Sequence, residues 1–335
     1  MTALQNPIRA DATRPLTRTS TTRSRPEVSV VLTTFNRPAT MARTLTGILR
    51  QREVDLEAVV VDNGSEDATA ATLSAFTDPR LRVIRIDENR GGEQGRNTGL
   101  AAATGEVIAP VDDDDLWAPD KLRAQLDEMR RTGRGWSFTG CVYVDPALRV
   151  LGGVPPLPAD RFVTEIRRRY VMPAGNSAVV WRRDLIDNAF DPALPHTSDW
   201  DLAMRLSRTG PPAVVSRPLV AYAQHTGNLS LRTDEMIREL AVLAAKHDNM
   251  RIDYSAQLLF TASQHLRTGD RRGAVKRYLR AAGQGNVGAL ARLPAVAVPR
   301  SLHPLLRRAF LSNRAWCREG ERWLRELEAA MAATI

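Results

Sequence analysis

Cysteine is nearly absent from this chain: Cys141 and Cys317 are the two in 335 residues, and they lie far apart. That pair suits a reducing cytoplasm better than a disulfide scaffold. Long hydrophobic runs are missing as well. No apolar stretch approaches the roughly 20 residues that span a bilayer, so an integral membrane protein is not expected. The first 26 residues, rich in Thr, Arg and Pro, lack the hydrophobic centre of a signal peptide and read as a disordered basic tail. Acidic residues are the scarcer charge, 38 against 47 basic, but the imbalance is local. The tail carries five Arg and one Asp, and residues 267–325 carry 14 Lys or Arg against three acids. The middle of the chain is therefore acidic, and a net charge of +9 does not by itself indicate a nucleic-acid binder. The basic ends read as solvated faces first and as an anionic-surface contact second.

What is present is an ordinary globular composition, 43% hydrophobic and 25% charged, with room for one large domain plus a smaller one. Apolar runs at 28–32, 58–61, 81–86 and 107–111 read as buried strands. They alternate with helical patterns at 41–49, 67–76 and the small-residue stretch after Gly91-Gly92. Four such alternations argue an α/β fold with a mostly parallel sheet and helices on both faces. After a helix at 120–131 the rhythm changes. Strands are expected at 136–144, 176–181, 213–216 and 219–224, a Gly/Pro loop at 152–158, and a helix from 198 with Ser198 as N-cap. From Thr233 onward the chain reads as helical, with breaks at Gly269, Gly283 and Pro294, and no solenoid repeat is found.

Residues 107–122 organise the rest. A buried strand ends in four consecutive carboxylates, Asp112 to Asp115, before Pro119 and Asp120 open the next helix. In open α/β sheets ligands bind beyond the carboxyl ends of the strands. Carboxylates packed that closely repel, and a hard divalent cation such as Mg2+ or Mn2+, shared with phosphate oxygens, relieves the repulsion. An acidic loop with a helix N-terminus accounts for Asp120, but not for four acids in a row.

Six segments, in order, resemble the family 2 glycosyltransferases of the GT-A fold. They are Val-Val-Leu-Thr-Thr-Phe-Asn-Arg (30–37), Val-Val-Asp-Asn-Gly-Ser-Glu-Asp (60–67), Gly-Arg-Asn-Thr-Gly (95–99), Val-Asp-Asp-Asp-Asp-Leu-Trp-Ala-Pro-Asp-Lys-Leu (111–122), Ser-Asp-Trp-Asp-Leu (198–202) and His-Thr-Gly-Asn-Leu-Ser (225–230). The resemblance covers about 27–232. It implies a GT-A-like mixed, mostly parallel sheet in a 27–232 domain, between the 1–26 tail and a helical 233–335 region. It also implies an inverting, metal-dependent transfer of one sugar from a nucleoside-diphosphate sugar, with UDP or dTDP expected, to an unidentified acceptor. By the same resemblance Asp114 and His225 hold the divalent metal, and Asp112 and Asp113 share the ribose and the metal's water shell. Asp62 accepts from the nucleobase; Thr33, Phe35, Asn36, Arg37 and Arg96 line the donor pocket; Asp199 is the catalytic base. The family usually presents Glu-Asp where this chain has Ser198-Asp199. Processive synthases of the family carry membrane helices and a Gln-x-x-Arg-Trp motif, and neither occurs here. Trp117, Trp136 and Trp200 are candidate sugar-stacking faces that core packing explains equally well. The rivals are a sugar nucleotidyltransferase, which would carry a Gly-rich loop where Thr-Thr-Phe-Asn-Arg-Pro stands, and a degenerate nucleotide- or nucleic-acid-binding protein. The expected location is the cytoplasm, with the basic ends able to touch the inner membrane face.

Overall fold

The computed structural model describes residues 25–297 and 313–332, so all but the last two residues of the expected N-terminal tail lie outside the described residues. The first part of the chain alternates as β1 (Val28–Thr34), α1 (Pro38–Leu49), β2 (Leu56–Asn63), α2 (Thr69–Ser74), β3 (Leu81–Ile86), α3 (Gly92–Ala102) and β4 (Val107–Asp112). β1 pairs in parallel with β2 on one side and β4 on the other, and β2 pairs in parallel with β3. Val28, Val30, Val31 and Leu32 are all fully buried, the mark of a central strand covered on both faces. α1 begins at Pro38 and buries Met41, Leu45 and Ile48 on one stripe. α3 lies unusually close to the sheet. A Cβ on Gly95 would sit 2.4 Å from Thr33 Cγ2, and one on Gly99 would sit 2.5 Å from Val31 Cγ1. Only glycine admits that approach, and it carries Arg96 over the end of β4.

The second part is antiparallel and mixed. It comprises β5 (Leu116–Trp117), α4 (Lys121–Thr132), β6 (Trp136–Val144), β7 (Val150–Val154), α5 (Ala159–Glu165), α6 (Gly175–Ala178), β8 (Val179–Arg182), α7 (Ser198–Thr209) and β9 (Ala213–Ala223). The strands form one sheet in the order β3-β2-β1-β4-β8-β6-β9-β5, with β7 on β6. This is the mixed α/β sheet with flanking helices that the sequence implies, and β1 to β4 are its parallel half.

Four local expectations are corrected. The Gly/Pro stretch is partly a strand, because β6 outruns β8 and its edge beyond Phe138 is taken by β7. Residues 175–178 form a helical turn, not a strand. Ser177 Oγ there accepts the Asp112 N–H at 3.1 Å, and the Ser177 carbonyl accepts Trp117 Nε1 at 2.9 Å. Ala213–Ala223 make one strand, in which Pro218, lacking an N–H, is passed by a register shift opposite Gly140. The cap of α7 is Thr197 rather than Ser198. Trp117, Trp136 and Trp200 are all fully buried; Trp117 and Trp136 serve the core alone.

The described remainder is helical: α8 (Thr233–Lys246), α9 (Tyr254–Thr268), α10 (Arg271–Gly283), α11 (Leu293–Ala297) and α12 (Arg314–Ala332). Asp253 caps α9 and Asp270 caps α10 through N–H bonds from Ala256 and Gly273. α8 is tied to α7 by Asp201, which is fully buried and meets Arg205, Lys246 and His247 at 2.9, 3.0 and 2.9 Å. Burial would raise that carboxyl, but the His247 hydrogen bond and the Arg205 and Lys246 charges outweigh it and hold it at about 2. α12 crosses the far side of the sheet. Trp323, Leu324 and Leu327 join the cluster of Leu116, Val142 and Leu219, and Trp323 Nε1 donates to the Pro218 carbonyl at 2.8 Å. Among the described residues no helix is long and apolar enough to cross a membrane.

Trp323→Ala is expected to cost about 3–5 kcal/mol, the usual loss for a buried aromatic, measured as a lower urea midpoint; an unchanged midpoint would mean that α12 does not dock.

Candidate active site

Register places the candidate residues on one edge. Thr33 lies opposite Asp112 and Thr34 opposite Asp62 at the carboxyl ends of three adjacent parallel strands. The four aspartates then diverge. Asp112 accepts Arg96 Nη2 at 2.7 Å. Asp113 accepts Thr34 Oγ1 at 2.7 Å and Arg37 Nη1 at 2.9 Å. Asp114 Oδ2 accepts Arg37 Nη1 at 2.7 Å and meets His225 Nε2 at 2.8 Å. Asp115 is buried and accepts the Ala223 N–H at 3.0 Å. Burial, with Asp114 beside it, pushes the Asp113 carboxyl up to about 6. Asp115 is driven well above the carboxylate range by burial and by Asp114 and Asp112. Asp114 goes the other way: burial would raise it, but the His225 hydrogen bond and the Arg37 charge more than compensate. Four side chains, Arg96, Thr34, Arg37 and His225, and the burial of Asp115 thus relieve the repulsion within the run. Among the described residues, no three His, Cys, Asp or Glu side chains converge as a metal site.

His225 is aimed by its own turn. Its N–H donates to Asn228 Oδ1 at 2.8 Å, and its Nδ1 accepts the Gly227 N–H at 3.1 Å. An accepting Nδ1 leaves the ring proton on Nε2, toward Asp114.

The loop after β1 is stapled to the loop after β2. Asn36, at φ 52°, donates its N–H to Ser65 Oγ at 3.0 Å and accepts the Glu66 N–H at 2.9 Å. Phe35 beside it is exposed. Asp62 is 1% exposed and already engaged, by the Ser65 N–H at 3.0 Å and Arg85 Nη1 at 2.7 Å. A carboxylate has lone pairs for a further donor, and Arg85 is a partner that the sequence did not suggest.

Across Arg96 from the acid run lies Asp199, in the first turn of α7. Arg96 bridges Asp112 to Glu93, 3.0 Å away, and its guanidinium lies 5.5 Å from the Phe190 ring. Burial lowers the Arg96 pKa, but Asp112 and Glu93 reverse this and keep it charged. Asp199 accepts the Tyr170 hydroxyl and, at 2.8 Å, the Trp200 N–H. Burial pushes Asp199 up to about 6, against the lowering effect of the Tyr170 hydrogen bond, and Asp112 adds to the rise. Asp199, Arg96 and Asp112 line one cavity that is open to solvent.

Several cavity residues escaped the sequence reading. Ser198, in place of an acid, donates to Glu93 Oε1 at 3.1 Å, so a carboxylate reaches this position from α3 instead. The Glu93–Arg96 spacing of three in a helical stretch was the available signal. Tyr170 follows a run of arginines and gave no signal. Asn176 Oδ1 is buried with no hydrogen-bond partner among the described residues and belongs to the cavity wall. Met236, Gln257 and Phe260 bring α8 and α9 into that wall.

A parallel half-sheet ending in an acid run, continued by a mixed half that returns a carboxylate and a histidine to it, is the architecture of a GT-A type glycosyltransferase. Residues 29–154 match the family model described as glycosyl transferase family 2. The succinoglycan biosynthesis protein ExoO of Rhizobium meliloti is 42% identical over 108 residues, 32% of this chain and 31% of that one. The match thus spans under a third of that relative's length. Among solved structures, S. aureus TarS 1-349 in complex with UDP-GlcNAc superposes with a TM-score of 0.54 at 18% identity, covering 90% of this chain and 92% of that one. The mannosyltransferase PcManGT from Pyrobaculum calidifontis, in complex with GDP-Man and Mn2+, gives 0.51 at 21% identity over 89% and 87% of the two chains. These two likenesses concern the fold.

Asp199 is expected to titrate near pH 6, followed by carbon-13 NMR of its carboxyl. Tyr170→Phe, which deletes a bond that favours the ionised form, should move the midpoint upward; a midpoint near 4 in the parent would contradict the burial argument.

Proposed function

We propose that this chain is an inverting glycosyltransferase that adds a single sugar, from a nucleoside-diphosphate donor, to an acceptor hydroxyl in polysaccharide assembly. The observation that carries the reading is the placing of Asp199, from the first turn of α7, in the same cavity as Arg96 and Asp112, where desolvation raises its carboxyl to about 6. A general base works best with a pKa close to the operating pH. In the reaction, the acceptor oxygen bonds to the anomeric carbon as the bond to the diphosphate breaks. Asp199 takes the hydroxyl proton, and the nucleoside diphosphate leaves with the electron pair. The complexes of similarly folded proteins with UDP-GlcNAc and GDP-Man support a nucleotide-sugar donor, and the family match supports glycosyl rather than nucleotidyl transfer. UDP or dTDP remains our reading of the nucleotide.

On the donor side, Asp62 would take the nucleobase, Thr33, Phe35 and Asn36 would line the pocket, Asp112 would meet the ribose, and Arg37 would turn to the phosphates. Asp113, held by Thr34, keeps the turn in place. Asp114 and His225 suit Mn2+ or Mg2+, because two protein ligands leave the remaining positions to phosphate oxygens and water. Such an ion would stabilise the charge on the departing diphosphate. Ligation through His225 Nε2 requires the ring proton to move to Nδ1, at the expense of the Gly227 bond. The C-terminal helices, by lining the cavity beside Asp199, would meet the acceptor. The two buried free cysteines favour the cytoplasm, and the basic ends favour contact with the inner membrane face.

Two measurements test this. Asp199→Ala should lower transfer by roughly 10²–10⁴-fold, the usual worth of a general base, while leaving nucleotide binding intact; near-parental turnover would remove Asp199 from the role. UDP with Mn2+, at a hundred times its dissociation constant, should add about 2.7 kcal/mol. That raises the thermal midpoint by several degrees at ~2–4 °C per kcal/mol. Asp114→Ala should lose the Mn2+-dependent part; equal shifts with UDP, GDP, dTDP and CDP, all indifferent to Mn2+, would refute both the nucleotide and the metal assignments.

A further inference from the structure

A second concavity, close in sequence to the cavity wall at Tyr170, is lined by more cations than acids. It lies between the end of α5 with the segment after it and the loop joining α8 to α9, and is lined by Thr164, Arg167, Arg168 and Arg251 over Val163, Met250 and Ile252. None of the three arginines has a carboxylate within ion-pair distance among the described residues, whereas the next one, Arg169, is paired with Glu165. Asp253 lines the concavity too, and the Arg168 charge acts on both Asp253 and Glu165, but each acid has a closer partner. Glu165 is paired with Arg169 at 2.6 Å. Asp253 Oδ1 accepts Ser255 Oγ at 2.7 Å and the Ala256 N–H at 2.9 Å as the cap of α9.

The cleft is held by its framework. The Asp253 N–H donates to the Arg168 carbonyl at 2.7 Å, locking its two walls together. Phe162 and Ile166 anchor one wall in the core. The same wall runs two residues on from Arg168 to Tyr170, whose hydroxyl holds Asp199. Two residues of chain span at most about 7 Å, so the backbone that lines the cleft at Arg168 is within that reach of the backbone that carries Tyr170. The cleft and the cavity have complementary chemistries. The cavity presents Glu93, Asp112 and Asp199 and would repel a phosphoryl group, whereas the cleft offers three planar cationic forks of the kind that match phosphate oxygens.

We propose that this cleft binds a phosphoryl group of the acceptor, so that the acceptor is a phosphate- or diphosphate-bearing glycan whose sugar end reaches Asp199. The apolar floor of Val163, Met250 and Ile252 suits a hydrocarbon attached to that phosphate. Naming the ligand as acceptor rests on the proposed function; the anion site itself does not.

The test uses the full chain saturated with UDP and Mn2+, so that the nucleotide site is filled, and titrates inorganic pyrophosphate by calorimetry. One additional site is expected, and Arg167→Gln/Arg251→Gln should weaken it by at least about tenfold, as loss of charge-assisted bonds does, with an unchanged thermal midpoint. Equal pyrophosphate affinity in parent and variant, or no binding in either, would overturn the assignment. A parallel arm uses phosphatidylglycerol and phosphatidylcholine vesicles. If the arginines bind only the anionic vesicles and not pyrophosphate, the cleft reads membrane headgroups and the acceptor assignment falls. The UDP-induced thermal shift of the same preparation separates the failures. A UDP shift without pyrophosphate binding rejects the cleft, whereas absence of the UDP shift rejects the nucleotide-site reading.

Discussion

Four carboxylates in consecutive positions cannot remain charged together without partners, and much of this structure is the set of partners. The alternating stub after β4 sends Asp112 toward α3, Asp113 back to β1, Asp114 outward to Arg37 and His225, and Asp115 into the interior against β9. The destinations draw on several elements. Separating the acids therefore requires the close approach of α3, the turn after β1 and the return of β9 all at once. Arg96 can reach Asp112 only because Gly95 and Gly99 bring its helix onto the sheet.

The same economy appears where the C-terminal helices join. Asp201 and Asp199 lie two residues apart in one helical turn and have opposite environments. Asp201 is fully buried with three cationic or hydrogen-bonding partners and stays ionised to about pH 2, whereas Asp199 is half-buried beside a tyrosine and another aspartate and rises to about 6. One fastens α8 to α7; the other faces the cavity. Neighbouring carboxylates acquire different work through what surrounds them, not through their own chemistry.

The parallel half of the fold was legible because each of its strands is an apolar run closed by turn residues, and because the acid run follows one of them. The motif positions Thr33, Asp62, Asp112 and Asp114 fall at one sheet edge for that reason. What the sequence concealed depended on tertiary partners. β7 forms because β6 is longer than β8, a fact of pairing rather than propensity. Ser177 joins a helical turn because its hydroxyl and carbonyl take bonds from the acid strand and from Trp117. Glu93 reads as a helix-start acid until Ser198, 105 positions later, is seen donating to it. Arg85 gave no hint that it would cover Asp62, since a cation in a half-exposed strand is ordinary.

The match to the family model ends at residue 154, the last residue of β7. Thr33, Asp62, Arg96 and the acid run all precede that point, whereas Tyr170, Asn176, Met236, Gln257 and Phe260 follow it. On the proposed reading, the chain is two ledgers of inheritance bound in one volume. Tyr170 is the stitch between them: it rests on Phe260 of α9, their ring centroids 5.4 Å apart, and bonds to Asp199. A substitution in an outer helix can thereby reach the protonation of a carboxylate it never touches.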